Sequence, residues 1–481
     1  MFLGIDIGTS EVKVLLLSDA HQIIGTAGSA LDISRPAPGH SEQAPQDWWT
    51  GTQNACAELR SKHASAFAQV RAIGLSGQMH GAVLLDAGHQ VLRPAMLWND
   101  TRAAQECLDM MAELPDAPQL AGSLVMPGFT APKLRWLARH EPELFARVAK
   151  VLLPKDYVRL MLTGECVSDM SDASGTAWLD VAKRDWSDAL LSLTGLSRAH
   201  MPRLVEGSAA SGVLSSEAAQ ALGLTAGIPV AGGGGDNAVS AVGMGAVEAG
   251  QGFLSLGTSG VLFVVTPSYQ PNAASATHAF CHAVPGRWHQ MSVMLSAASC
   301  LQWAAGLLGV PSAGDLESRA SATSPAQRAQ APIFLPYLSG ERTPHNSASV
   351  RGSFHGLSFD TDAAALAYAV IEGVTFGLRD GLEALKAAGC APQRLSLVGG
   401  GARSAFWAQQ LASCLDVEIV THGGSAAGGA LGAARLAWLA TGAALAQVCT
   451  APDVDQVYRP DAAEQALLAP RYARFRALYA G

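Results

Sequence analysis

The apolar run Phe2 to Ile7 breaks at Gly8-Thr9-Ser10 and resumes from Val12 to Leu17, the pattern of two strands joined by a tight turn. A third extended stretch is predicted at Ile23 to Ala27, after a turn at Asp19. Trp48, Ala55 and Leu59 recur at helical spacing and predict a helix between Pro45 and Lys62. Strand patterns return at Val70 to Leu75 and Ala82 to Leu85. Strands followed by alternating helix and strand units indicate an α/β domain. The pattern then recurs. Residues 252–265, GFLSLGTSGVLFVV, repeat the layout of residues 3–16, LGIDIGTSEVKVLL, with the two Gly-Thr-Ser turns offset by 249 positions. Further strands are predicted at Phe280 to Val284, Met291 to Leu295, Ile333 to Leu338, Leu395 to Val398 and Val417 to Thr421. Helices are predicted at Leu301 to Leu308, Ala363 to Ala388, from Ser404, and as a last long helix from Ala426.

Gly-Thr-Ser is a common tripeptide and hairpins are common, but matched strand flanks at mid-chain favour duplication of one fold. The boundary falls near Val247 to Gly252, giving domains 1–248 and 249–481. Asp6 of the first copy stands opposite Ser255 of the second, so an acid kept in one copy implies a single asymmetric site between two lobes.

The chain has 481 residues, enough for more than one core. Only 15% are charged, against ~25% in ordinary soluble domains, which raises the question of a membrane span. The longest stretch free of charged residues, Ala249 to Gly286, is interrupted by Gln251, Gly252, Ser255, Gly257, Thr258, Ser259, Pro267 and Pro271 and cannot form a bilayer helix. A net charge of -8 without a basic stripe argues against a nucleic-acid partner. It leaves a local ATP site open, because distant charges are screened. Cys56, Cys107, Cys166, Cys281, Cys300, Cys390, Cys414 and Cys449 are scattered without a C-x-x-C pair. With no basic leader segment before the first strand, they fit free thiols in the cytoplasm.

No Walker A loop, kinase D-F-G or H-R-D, G-x-S-x-G elbow or H-E-x-x-H helix occurs, so phosphate would be bound by backbone amides. Four glycine turns at strand ends can present such amides, namely Gly8-Thr9-Ser10, Gly232 to Gly235, Gly257-Thr258-Ser259 and Gly399-Gly400-Gly401. Asp236-Asn237 follows the second of them. Asp236 reads equally as a general base at a cleft mouth or as the N-cap of a helix from Ala238 to Met244. Gln78-Met79-His80-Gly81 and Trp98-Asn99-Asp100-Thr101-Arg102 collect amide, imidazole, carboxylate and indole groups suited to a neutral polyhydroxylated ligand. A loop histidine is also commonly just solvated or capping. His278, Cys281, His282 and His289 lie around a Pro285-Gly286 turn on alternating strand faces, which favours a hairpin over a zinc site. Gly423 to Ala434 reads as a close-packing helix face.

These residues resemble the FGGY family of carbohydrate kinases. One family signature is matched by Gly128-Phe129-Thr130-Ala131-Pro132-Lys133-Leu134-Arg135-Trp136-Leu137, the other from Gly352 through Gly356-Leu357 to Ala369-Val370-Ile371-Glu372. The second departs at Ala365, where the family usually carries a polar residue and a helix surface is expected. Leu153 to Tyr157, Ser168 to Thr176 and Tyr337 to His345 extend the likeness over the whole chain. Ser76-Gly77-Gln78-Met79-His80-Gly81 is similar to the xylulose-phosphorylating members, whereas glycerol-phosphorylating ones carry Asn-Gln-Arg-Glu there.

The resemblance implies an α/β fold of duplicated ribonuclease-H-like, actin-like domains with an interdomain cleft, sugar mainly on the first lobe and nucleotide mainly on the second. It implies Asp236 as catalytic base, and Asp6 near Mg²⁺ with Asp236 as the other metal-side carboxylate. Met79 and His80 are implied as sugar contacts, and Gln78, Asn99, Asp100, Arg102 and Asn237 join them as sugar-side candidates. Gly8, Thr9, Ser10, Lys13, Gly257, Thr258, Gly400, Gly401 and Ala405 are assigned to ATP. The implied reaction is ATP-dependent phosphorylation of D-xylulose. Other sugars or acids of the family, an actin-like ATPase and a sugar sensor are the alternatives. Oligomeric state is left open, a homodimer being one option.

Overall fold

The computed structural model describes residues 1–423 and 428–479. Its first sheet starts with the hairpin β1 (Phe2–Ile7) and β2 (Glu11–Leu17), extended by β3 (Ile23–Ala30). Helix α1 (Pro45–Lys62) begins with Pro45, whose fixed φ suits a first turn, and buries Trp48, Cys56 and Leu59 in the core under this sheet. β4 (Ala72–Gly77) lies parallel to β1 on its other side. A long insertion then carries α2 (Thr130–His140) and α3 (Pro154–Thr163) before β5 (Ala210–Val213), β6 (Pro229–Ala231) and β7 (Gly234–Gly235) complete a seven-stranded sheet. Its order is β5-β6-β4-β1-β2-β3, with β7 beside β4.

Helix α4 (Asp236–Gly243) leads to the second sheet, made of β8 (Gly252–Leu256), β9 (Gly260–Thr266), β10 (His278–Cys281), β11 (Trp288–Met294), β12 (Arg394–Val398), β13 (Glu418–His422) and β14 (Val454–Tyr458). Its order is β10-β11-β9-β8-β12-β13-β14. Leaving aside β10 and β7, the two sheets match strand for strand and in every parallel or antiparallel pairing. The duplication expected from the sequence is therefore a duplication of sheet layout, although the edge strand β5 precedes its neighbour β6 in the chain while the edge strand β14 follows its neighbour β13. The two turns differ by one residue: Ile7 pairs with Val12, but Leu256 pairs with Gly260. Helices α5 (Ala363–Ala387), α6 (Ala405–Leu415), α7 (Gly428–Leu439) and α8 (Ala462–Tyr479) belong to the second half.

The halves exchange helices. α7 lies on the first sheet so closely that a Cβ at Gly4 would stand 1.9 Å from the Ala430 carbonyl oxygen, and one at Gly74 1.9 Å from that of Ala433. Only glycine admits helix backbone at that distance. α4 in turn places Ala241 among Phe253, Phe263, Val265 and Met291 of the second sheet. Arg435 of α7 donates to the carbonyls of Val242 and Gly243 at the end of α4. The close-packing face read into Gly423 to Ala434 is thus the interlobe contact over its described part.

Several predicted elements move. Val83–Leu85 pairs with Lys150–Leu152 and Ile333–Leu335 with Ser353–His355, each in a small separate sheet. The strand expected at Phe280 to Val284 is His278–Cys281. The helix expected from Ala426, a residue outside the described ones, is described from Gly428 and is not the last. β14 and α8 follow it. Both escape periodicity reading because β14 is mostly exposed and α8 carries Pro470 and buries few residues, among them Leu468, Arg471, Tyr472 and Phe475. Arg471 ties α8 to α5 through a buried ion pair with Glu372 at 2.6 Å. Ala365 sits in the first turn of α5, where its N–H is capped by Asp362 at 2.8 Å. Among the described residues no helix is long and apolar enough to cross a membrane.

Candidate active site

Parallel pairing places several chemical motifs on one edge. Ile7 is in register with Gly77, and Gly77 with Gly235, so β1, β4 and β7 end side by side. Gly8-Thr9-Ser10, Gln78-Met79-His80 and Asp236-Asn237 leave from those three ends. In the second lobe Ser255 is in register with Val398, which brings the Gly257 and Gly399 turns together. The carboxyl ends of parallel strands are where open α/β sheets bind ligands.

Asp236 is the first residue of α4, and the N-cap is Gly235. The capping alternative therefore gives way to a carboxylate in the first turn. Its Oδ1 accepts from the Asn237 N–H at 2.7 Å and from Asn237 Nδ2 at 3.0 Å. Burial, and secondarily the negative charge of Asp6, raise its pKa from 3.8 to about 6 despite these donors. Asp6, near the end of β1, is raised as well, chiefly by burial, with Ser76 and Lys13 opposing. Lys13 shares its register position with Asp6 and pairs with Glu11 at 3.0 Å on a half-exposed rim.

The first glycine turn is held by side chains. Gln78 is 3% exposed. It accepts from Thr9 Oγ1 at 3.0 Å and donates to the Gly8 carbonyl and to Gln43. Gln43 donates to the Thr9 carbonyl at 2.7 Å, and the indole of Trp98, itself about half exposed, donates to Thr9 Oγ1 at 3.0 Å. Gln78, read from the sequence as a sugar contact, thus has its amide engaged by the turn. Asp100 and Arg102 are likewise engaged with each other. Asp100 accepts from the Ser41 N–H and from Arg102, which also reaches Glu42 at 2.6 Å and lies over Trp136. The Arg102 pairing and these donors hold the Asp100 carboxyl below its ordinary value, against the opposing effect of burial. Among the described residues the buried Asn99 Oδ1 has no partner.

Met79 packs against Gly235, and His80 takes a left-handed conformation at φ 70. Its ring stacks on Phe129 of the first signature at 4.5 Å, and its carbonyl accepts from Lys133 Nζ at 2.9 Å and from Thr130. Nδ1 lies 2.6 Å from the Gly175 carbonyl, and burial drives the imidazole pKa down to about 3. The ring is therefore neutral with its proton on Nδ1, which leaves Nε2 as a bare acceptor. Burial also lowers Lys133, to about 7.

In the second lobe the Thr258 carbonyl accepts from Ala297 N–H and Ser299 Oγ, which leaves its hydroxyl on an exposed turn. Gly399, at φ 90, folds back against Leu256. Gly400 is exposed, Gly401 buried, and Ala405 opens α6 behind the N-cap Ser404, which accepts from Trp407 N–H. His278 meets Ser123 Oγ, His282 Nε2 the Ala246 carbonyl, and His289 stacks on Phe263. Among the described residues no group of three or more His, Cys, Asp or Glu gathers as a metal cluster.

Sequence reading missed the residues behind the strand ends. Lys155 is wholly buried and pairs with Asp156, Asp169 and Asp172, while Arg159 reaches the carbonyls of Ala231 and Gly232. Five charged residues in two short segments, Lys155-Asp156 with Arg159 and Asp169 with Asp172, were the available signal.

The chain matches the N-terminal domain of the FGGY family of carbohydrate kinases over residues 1–243 and the C-terminal domain over residues 252–441. It is 51% identical over 482 aligned positions to a xylulose kinase of Escherichia coli K12, covering 100% of this chain and 98% of that one. A xyloylose kinase from Brucella ovis superposes with a TM-score of 0.96 at 50% identity, covering 99% of this chain and 98% of that one. A gluconate kinase from Lactobacillus acidophilus superposes at 0.93 with 26% identity over 100% of this chain and 98% of its own. With both domains matched, and two sheets of matching layout that each carry glycine turns at their strand ends, this chain belongs to the FGGY family of carbohydrate kinases.

Proposed function

We propose that the chain transfers the γ-phosphoryl group of ATP to the terminal hydroxyl of D-xylulose, giving D-xylulose 5-phosphate. The observation that carries this reading is a 51% identical, full-length likeness to a xylulose kinase, on a site whose strand-end carboxylate Asp236 is tuned to titrate near neutrality.

A base for a sugar hydroxyl must be ionised at working pH yet basic enough to take the proton, and a pKa of about 6 meets both demands. Asp236 accepts the hydroxyl proton as the sugar oxygen attacks the γ-phosphorus in line, and ADP leaves. Asn237 holds the receiving carboxylate in place through Oδ1. Met79, the bare Nε2 of His80 and the buried Oδ1 of Asn99 face the sugar, whereas Gln78 shapes the neighbouring turn. The Gly8, Gly257 and Gly400 turns offer amides to the phosphates, with the Thr258 hydroxyl, Ser10 and Lys13 around them, while Thr9, its hydroxyl taken by Gln78 and Trp98, holds the first turn in shape, and Gly401 and Ala405 border the nucleoside.

The charge of Asp6 raises the proton affinity of Asp236, and carboxylates coupled in that way suit a shared divalent cation. An all-oxygen pair fits Mg²⁺, which keeps most of its waters. Asp6 and Asp236 would hold it, and it would neutralise charge on the β- and γ-phosphates.

The test is ADP release by the purified chain with D-xylulose, D-ribulose, gluconate and glycerol, each compared by kcat/KM. The expected result is sugar-dependent turnover with D-xylulose preferred. Turnover independent of sugar, or preference for another acceptor, overturns it.

A further inference from the structure

We infer that Ser171 and Arg159 are positioning residues that place Asp236 by gripping the two ends of the Gly232–Gly235 turn. This rests on Asp236 being the base.

Among the described residues the Asp236 carboxylate has no hydrogen-bond partner other than its neighbour Asn237, so its location depends on the backbone that carries it. That backbone is four successive glycines, the residues with the most conformational freedom to lose. Both ends are clamped. Arg159, fully buried in α3, donates from Nη1 to the Ala231 carbonyl at 2.7 Å and to Ser211 Oγ, and from Nη2 to the Gly232 carbonyl. At the other end the Gly235 N–H donates to Ser171 Oγ at 3.2 Å. The Ser171 hydroxyl in turn donates to Asp169 Oδ2 at 2.5 Å, so its acceptor lone pair is aimed at Gly235.

The clamp has a rigid mount. Lys155 Nζ pairs with Asp156 at 2.6 Å, Asp169 at 2.8 Å and Asp172 at 3.0 Å, all without solvent exposure. Asp169 also accepts the Ser171 and Asp172 N–H groups at the start of the short helix Met170–Ser174. Burial raises the Asp172 carboxyl well above its usual range, with Lys155 opposing. Lys155 and Arg159 stand among Asp156, Asp169 and Asp172, and a buried cluster with fixed partners holds its geometry. Displacing a reacting group by about 1 Å costs on the order of 10²-fold in rate.

The experiment is a double-mutant cycle of Ser171→Ala and Asp236→Asn, with kcat and both KM values measured and cooperative unfolding checked for each variant. Ser171→Ala is expected to lower kcat by on the order of 10-fold to 10²-fold, with both KM values changed by less than about twofold. In the Asp236→Asn background the same change should move the residual turnover by less than about twofold. An unimpaired Ser171→Ala, or an equal loss in both backgrounds, overturns the grip while the base reading stands. Near wild-type turnover of Asp236→Asn overturns both. If Ser171→Ala does not fold, Arg159→Lys, which keeps the charge but loses the two-pronged contact, takes its place in the same cycle.

Discussion

Asp236→Asn should make the protein more stable while disabling it. In the fold, burial and Asp6 raise the Asp236 pKa from 3.8 to about 6. That difference corresponds to about 3 kcal/mol of disfavoured ionisation. Asp236 keeps some solvent exposure in the fold, and water there screens the penalty, so the expected gain is about 1 to 2 kcal/mol. Asparagine keeps an oxygen to accept from Asn237, so that hydrogen bonding survives. The folded state holds the proton more tightly than the unfolded chain, so stability is lost as pH rises from 3.8 to about 6 and the loss is complete above that. The gain on substitution is therefore largest above pH 6 and fades below it. Urea unfolding of both proteins at pH 8 and at pH 4.5 checks this. A variant less stable than the parent at pH 8, or an equal gain at both pH values, refutes the account of a strained carboxylate. Turnover should fall by about 10²-fold to 10⁴-fold in the same variant.

Without substitution, kcat/KM should rise with pH through about 6 as Asp236 ionises, and Asp6→Asn should move that limb to lower pH by removing the neighbouring negative charge, which a pH-rate profile reads directly. His80→Ala should raise the sugar KM and leave the ATP KM unchanged. Because the imidazole is neutral down to a pKa of about 3, sugar affinity in the parent should show no histidine titration between about pH 5 and 8. Gly74→Ala places a methyl 1.9 Å from the Ala433 carbonyl and must push α7 off the first sheet, costing about 1 to 3 kcal/mol in urea unfolding. A neutral result there would contradict the interlobe packing.

The edge carrying Gly8, Gln78 and Asp236 was legible as separate turns after separate apolar strands, because a short buried strand ending in glycines is a local pattern. The correspondence of the two Gly-Thr-Ser hairpins survived folding, since strands buried on one core need the same alternation in each copy. Assigning polar groups to a ligand was less secure. Gln78, Asp100 and Arg102 have the composition of a sugar site but are engaged by Thr9, Ser41 and Glu42, which stand 59 to 69 positions away in the chain.

What the sequence by itself determined is the two matching strand–turn–strand motifs, the duplication they mark and the acid present in only one copy, because each depends on residues near in the chain. Only the tertiary structure decided that α4 and α7 cross between the lobes, that Asp236 opens a helix instead of capping it, and that Arg159 and Ser171 stand behind it. Those outcomes rest on burial and on hydrogen bonds between residues 64 to 193 positions apart. Charge and polarity along a chain state what a residue can bind, and the folded neighbours decide what is left free to bind anything else.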